Sequence, residues 1–131
     1  MADKGITRLS LSGHPIDGMS PWSDMPLVGD AIDNSVPTER FYRAFDQSID
    51  TPSQVRAGVW EATAYAEKLK DYPYNEIVFV VEGSISIFDE DGHEERFEPG
   101  DCFFLKKGFN GEWRQHSQLK IFHMTVDPVD R

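Results

Sequence analysis

The sequence predicts an all-β fold, a sandwich or barrel of short strands, on three observations. Apolar, β-branched and aromatic runs of strand length recur from about residue 52 onward. Turn residues interrupt them at short intervals. No stretch keeps a helical apolar period, and only Ala64–Leu69 could hold a turn of helix.

Each element has its own signal. Gly58-Val59-Trp60-Glu61-Ala62-Thr63-Ala64-Tyr65 is the first strong strand, and Glu76-Ile77-Val78-Phe79-Val80-Val81-Glu82 is the next, closed by Gly83. Ser84-Ile85-Ser86-Ile87-Phe88 alternates polar and apolar residues, as a strand with one buried face does. Asp89-Glu90-Asp91-Gly92 supplies a hairpin turn, with glycine free to take positive φ, and His93 to Phe97 is the returning strand. Glu98-Pro99-Gly100-Asp101 is a further turn, with proline suited to its second position. Cys102-Phe103-Phe104-Leu105 reads as a short buried strand broken by Lys106-Lys107-Gly108, and Gly111 to Gln115 and Leu119 to Val126 complete the set.

Residues 1–50 differ. They are rich in Gly, Pro, Ser and Asp and weak in periodicity, with short strands expected near Ile6–Leu11 and Phe41–Phe45. They are expected to form an N-terminal arm packing on the barrel of residues 51–131 or on a partner subunit. The chain of 131 residues is the size of one domain.

Charge narrows the partners. With 23 acidic and 13 basic residues the formal net charge is −10, which repels phosphate backbones and anionic lipid. Neither nucleic acid nor a membrane is expected as a partner. The single cysteine, Cys102, cannot form an internal disulfide and reads as a core thiol. No segment approaches the roughly 18–20 apolar residues of a membrane helix, and no apolar run follows the opening Met-Ala-Asp-Lys-Gly. A cytoplasmic protein is the expectation.

Several elements taken together carry a family resemblance: Gly58-Val59-Trp60-Glu61, the Glu76-x6-Gly83 run after Asn75, Asp91-Gly92, Pro99-Gly100-Asp101, Lys107-Gly108-Phe109, Gly111-Glu112-Trp113 and Lys120. On these the chain resembles the cupins over residues 58–126. Within them it is similar to the small single-domain cupins related to ureidoglycine aminohydrolase and the ethanolamine-utilisation cupins, many of unknown function. The resemblance implies an RmlC-like jelly roll, a double-stranded β-helix barrel enclosing one small-molecule pocket. A typical metal-binding cupin carries His-x-His just before its glutamate. Here Leu69-Lys70-Asp71-Tyr72-Pro73-Tyr74-Asn75 contains no histidine, and Gly111 stands where the last histidine ligand is usual. Three of the four ligands implied by the resemblance are missing, so neither a metal nor a cofactor is expected.

Strand parity proposes the pocket. Glu76 shares a face with Val78 and Val80, and with Tyr74 and Tyr72 if that stretch stays extended. Lys120 shares a face with Phe122, Met124 and Val126. A lysine on an apolar face needs a carboxylate or a route to water. Glu76 and Lys120 are therefore expected inside the barrel as an acid/base pair, with Trp60, Tyr72, Tyr74 and Trp113 as aromatic walls. The bland alternative is a structural Glu76–Lys120 ion pair plugging the barrel, with both tryptophans as core filler. His93 and His116 are expected at the surface, and the parity of His123 disfavours a pocket role.

The expected function is binding of a small polar metabolite, with proton-transfer catalysis if the protein is an enzyme. Two alternatives stand beside it: a metalloenzyme with a noncanonical site at Glu76, and a non-enzymatic regulatory or assembly module. A homodimer is the expected assembly.

Overall fold

The computed structural model describes residues 5–49 and 53–128. Every described regular element is a strand: β1 (Ser23–Asp24), β2 (Asp30–Ala31), β3 (Thr38–Ile49), β4 (Ser53–Ala62), β5 (Ala66–Leu69), β6 (Asn75–Glu82), β7 (Ile85–Asp89), β8 (Glu94–Phe97), β9 (Cys102–Leu105), β10 (Gly111–Gln115) and β11 (Leu119–Pro128). No helix among the described residues is long and apolar enough to cross a membrane.

The strands form two antiparallel sheets, one ordered β1-β3-β4-β11-β6-β9 and the other β2-β5-β10-β7-β8. Alternation along β6 buries Glu76, Val78 and Val80 and exposes Ile77 and Phe79. Val78 and Val80, with Leu105 of the neighbouring β9, face Ile85 and Ile87 of β7 and Trp113 of β10 in a core between the sheets. The β6–β7 connection turns at Gly83, where φ is +85° and a Cβ would lie 2.2 Å from the Gln118 carbonyl oxygen. Only glycine fits there.

Residues 5–49 contribute more than loops. β3 pairs with β4 from Glu39 opposite Ala62 to Ile49 opposite Ser53, so it is a full member of the larger sheet. The strand expected at Phe41–Phe45 lies inside it. No strand forms at Ile6–Leu11, whose apolar side chains Ile6, Leu9 and Leu11 are exposed and gain nothing from pairing. The segment that follows lies against the outer side of β3. The His14 ring meets Tyr42 edge-on at 6.1 Å, and the Arg40 guanidinium sits 4.8 Å over the Trp22 ring while pairing with buried Glu61 at 3.1 Å.

Cys102 corrects a sequence expectation. It is exposed. β9 is an edge strand whose Phe103 and Leu105 turn inward, which sends Cys102 and Phe104 outward. They join an apolar outer face with Ile77, Phe79, Phe122 and Met124, whose cross-strand pairings put all of them on one side of the sheet.

Candidate functional site

A cavity of about 160 Å³ opens between the sheets. Six strands send side chains into it: Glu39 from β3, Trp60 from β4, Glu67 and Leu69 from β5, Glu76 from β6, Trp113 from β10, and Ile121 and His123 from β11. Tyr65 and Tyr72 enter from the residues just before β5 and β6. Met25, Pro26 and Val28, from the stretch joining β1 to β2, close one side.

Glu76 is the best-held group. It is 6% exposed, accepts a 2.5 Å hydrogen bond from the Tyr72 hydroxyl on Oε1, and has His123 Nδ1 2.9 Å from Oε2. The imidazole contact is at ion-pair distance but lacks hydrogen-bond alignment, and Nδ1 has no other partner. Tyr72 is held from both sides by the loop before β10: its N–H donates to the Phe109 carbonyl at 3.0 Å, and its carbonyl accepts the Gly108 N–H at 2.8 Å. Asp71, at φ 52°, makes the bend that aims it, and its N–H donates to Asn110 Oδ1 at 2.8 Å. Burial first, then the Glu76 carboxylate, push the Tyr72 phenol far above its ordinary range, so it remains a donor.

The opposite wall is aromatic and acidic. Trp60 and Trp113 meet edge-on, with ring centroids 6.1 Å apart. Trp60 Nε1–H donates to Glu39 Oε1 at 2.8 Å, and Trp113 Nε1–H to Gln115 Oε1 at 3.1 Å. Glu67 lies directly opposite Trp113 in the β5–β10 ladder. It is 2% exposed and accepts the Gly29 N–H at 2.8 Å. Tyr65 hydrogen-bonds Glu67; burial, then that carboxylate, hold its phenol far above the ordinary range.

The structure brings Glu76, Trp60, Tyr72 and Trp113 to one cavity and leaves two expected residues out of its lining. Tyr74 stands behind Tyr72, edge-on at 5.9 Å. Lys120 lies on the outer face of β11, opposite Glu61 and Glu82. His123, which parity disfavoured, takes the inward position. The inversion has a physical cause. Phe122 and Met124 look like an inner face by hydrophobicity, but the outer face of this sheet is itself apolar. Lys120 is half-buried there, away from the core between the sheets, and Lys120→Met is therefore expected to change stability by no more than about 0.5 kcal/mol. Urea denaturation checks this; a loss above about 2 kcal/mol would mean a buried charge pair.

Glu39, Glu67 and Tyr65 were not anticipated. The available signal was the alternation Tyr65, Glu67, Leu69, which puts all three on one face of a strand. Glu39 lay in a segment with no clear period.

A metal of the kind common in cupins does not fit these residues. Among the described residues no three His, Cys, Asp or Glu side chains are grouped to hold one ion. At Gly111 a Cβ would lie 2.0 Å from the Phe88 carbonyl oxygen and 2.6 Å from the Phe109 ring, so no histidine can stand there without moving the backbone.

Two facing antiparallel sheets with a side-chain-lined cavity between them define a cupin jelly roll. The chain belongs to the EutQ-like cupin domain family, whose model matches residues 51–120. No curated protein matches the sequence. Among solved structures it is similar to a protein of unknown function of the DUF861 family from Pseudomonas syringae. The TM-score is 0.74 at 21% identity, over 89% of this chain and 46% of that one, so this chain spans less than half of that protein. It is also similar to Clostridium difficile EutQ (TM-score 0.54, 21% identity, 78% of this chain and 79% of that one). A third similar structure is ectoine synthase from P. lautus (TM-score 0.55, 22% identity, 76% and 70%). Identities at this level bear on the fold alone.

Proposed function

We propose that the protein binds a small polar metabolite in this cavity and acts on it by proton transfer without a metal, with Glu76 and His123 as the acid/base pair. The observation that carries this is the contact between Glu76 Oε2 and His123 Nδ1 at 2.9 Å inside a cavity of metabolite size. Tyr72 supports it by holding the other carboxylate oxygen with a permanent donor, which fixes the direction in which Glu76 presents its charge. Ile121, Leu69 and the tryptophans supply apolar walls that exclude water and strengthen the fields of the polar groups.

The test starts from a thermal-shift screen of polar metabolites, since a ligand that binds only the folded state raises the melting temperature. With a turned-over ligand in hand, Glu76→Gln is expected to lower kcat by about 10²- to 10⁴-fold, the usual contribution of a positioned acid or base. Lys120→Met, on the outer face, is expected to leave kcat unchanged. Full turnover in Glu76→Gln overturns the proton-transfer assignment. A near-stoichiometric transition metal in protein purified without chelator overturns the metal-independent one.

A further inference from the structure

The cavity carries more negative charge than an acid/base pair needs. Three carboxylates line it, Glu39, Glu67 and Glu76, and the only basic side chain in the lining is His123. Even with His123 protonated, two negative charges stay uncompensated by any lining cation. Glu67 is 2% exposed, and among the described residues neither it nor Glu39 has an ion-pair partner; neutral groups hold them, the Gly29 N–H and Tyr65 at Glu67 and the Trp60 indole at Glu39. Burying unpaired carboxylates is costly, and neutral donors offset that cost only in part.

These two carboxylates are not scattered. Glu39 holds Trp60, Trp60 meets Trp113 edge-on, and Trp113 lies directly opposite Glu67. Two indoles are thus flanked by a carboxylate on each side. Cations are drawn to the faces of indole rings, most strongly where water is excluded, and to carboxylates that lack a partner. The same arrangement repels carboxylate and phosphate ligands. The Glu76–His123 pair stands apart, on β6 and β11, and is left for the rest of the ligand.

We infer that the cavity takes a small organic cation, an amine or quaternary ammonium compound. Its charged head sits between the Trp60–Trp113 pair and the Glu39 and Glu67 carboxylates, and its other end lies at Glu76 and His123. A cavity of about 160 Å³ limits the ligand to a compact molecule of benzene-like bulk or slightly more. Tyr65 lies in the same lining and hydrogen-bonds Glu67. The inference rests on the proposal that this cavity is the ligand site and adds the charge of what enters it.

Three probes of like shape test it on the full chain at constant ionic strength: tetramethylammonium, tert-butanol and pivalate. Binding is followed by the indole N–H resonances of Trp22, Trp60 and Trp113. The expected result is saturable shifts of the Trp60 and Trp113 signals with tetramethylammonium and none with the other two. Glu67→Gln should weaken that binding about tenfold or more, as loss of one charge contact in a dry site would. Because Glu67→Gln perturbs a buried carboxylate, the half-buried Glu39→Gln serves as the second variant, with the same direction expected. If tert-butanol or pivalate shifts the Trp60 and Trp113 signals at least as strongly, the cation assignment falls while the cavity stands as the ligand site. Tetramethylammonium binding that moves only Trp22 overturns both. Unchanged affinity in both variants, or no saturable shift with the cation, overturns the cation assignment.

Discussion

Trp113→Ala is expected to lower the unfolding free energy by about 3–5 kcal/mol, the range for removing a buried large aromatic side chain. Trp113 is 4% exposed, and its ring is an edge partner of both Trp60 and Phe103, at 6.1 and 6.2 Å. Phe103 in turn stacks on Phe97 at 4.3 Å, so one ring ties β10 to β4 and, through β9, to β8. Truncation leaves a void between the sheets and strips Gln115 of its indole donor. Domains of this size have only about 5–15 kcal/mol of stability in all. Urea denaturation should show a lower midpoint with an unchanged slope. A loss under about 1 kcal/mol would mean that the sheets close over the gap and that Trp113 is a ligand wall rather than part of the core.

The second large effect is alkaline. Tyr65 and Tyr72 are held protonated in the folded state, first by burial and then by Glu67 and Glu76 respectively. In the unfolded chain both phenols lose their protons near the ordinary value of about 10. Above that pH the unfolded state binds fewer protons than the folded one. Stability is thus fully present below about pH 10 and falls as pH rises past it, by about 1.4 kcal/mol per pH unit for each phenol. Cooperative unfolding is expected before either phenol ionises in place. Ultraviolet titration should show their phenolate absorbance appearing together with loss of the near-ultraviolet circular dichroism signal. Tyr65→Phe and Tyr72→Phe should each remove about half of the slope. A gradual rise of that absorbance in protein that is still folded would contradict the assignment. At neutral pH Tyr72→Phe carries a separate cost of about 1.5–3 kcal/mol, because it strips a buried carboxylate of its donor.

The architecture was readable because its signals are local. Gly83, Asp91-Gly92 and Pro99-Gly100-Asp101 fix turns by backbone conformation alone, and the runs between them have room only for strands. The site was readable in part. Glu76 could be placed because Val78 and Val80 share its face and the strand is long enough for that alternation to register. β11 misled for the converse reason: Ile121 and His123 point inward, yet Phe122 and Met124 look the more core-like pair. Hydrophobicity sorts the faces of a strand only when one of them meets water as a polar surface, and this sheet has an apolar outer face as well. Glu67 eluded the sequence because β5 is only four residues long, so the alternation Tyr65, Glu67, Leu69 is too short to stand out, and its place opposite Trp113 is a relation between residues 46 apart in the chain.

Gly111 limits how this barrel could be rebuilt. With the Phe88 carbonyl oxygen 2.0 Å from where a Cβ would sit, a single substitution to histidine there cannot deliver a ligand, because the β7–β10 ladder would first have to part. A histidine ligand at this position is therefore separated from the present chain by a backbone rearrangement and not by one side-chain change. Directed evolution toward a metal-dependent activity has an easier starting point at Leu69 or Ile121, where existing side chains already point into the cavity, and its cost there is lost core packing instead of a parted ladder.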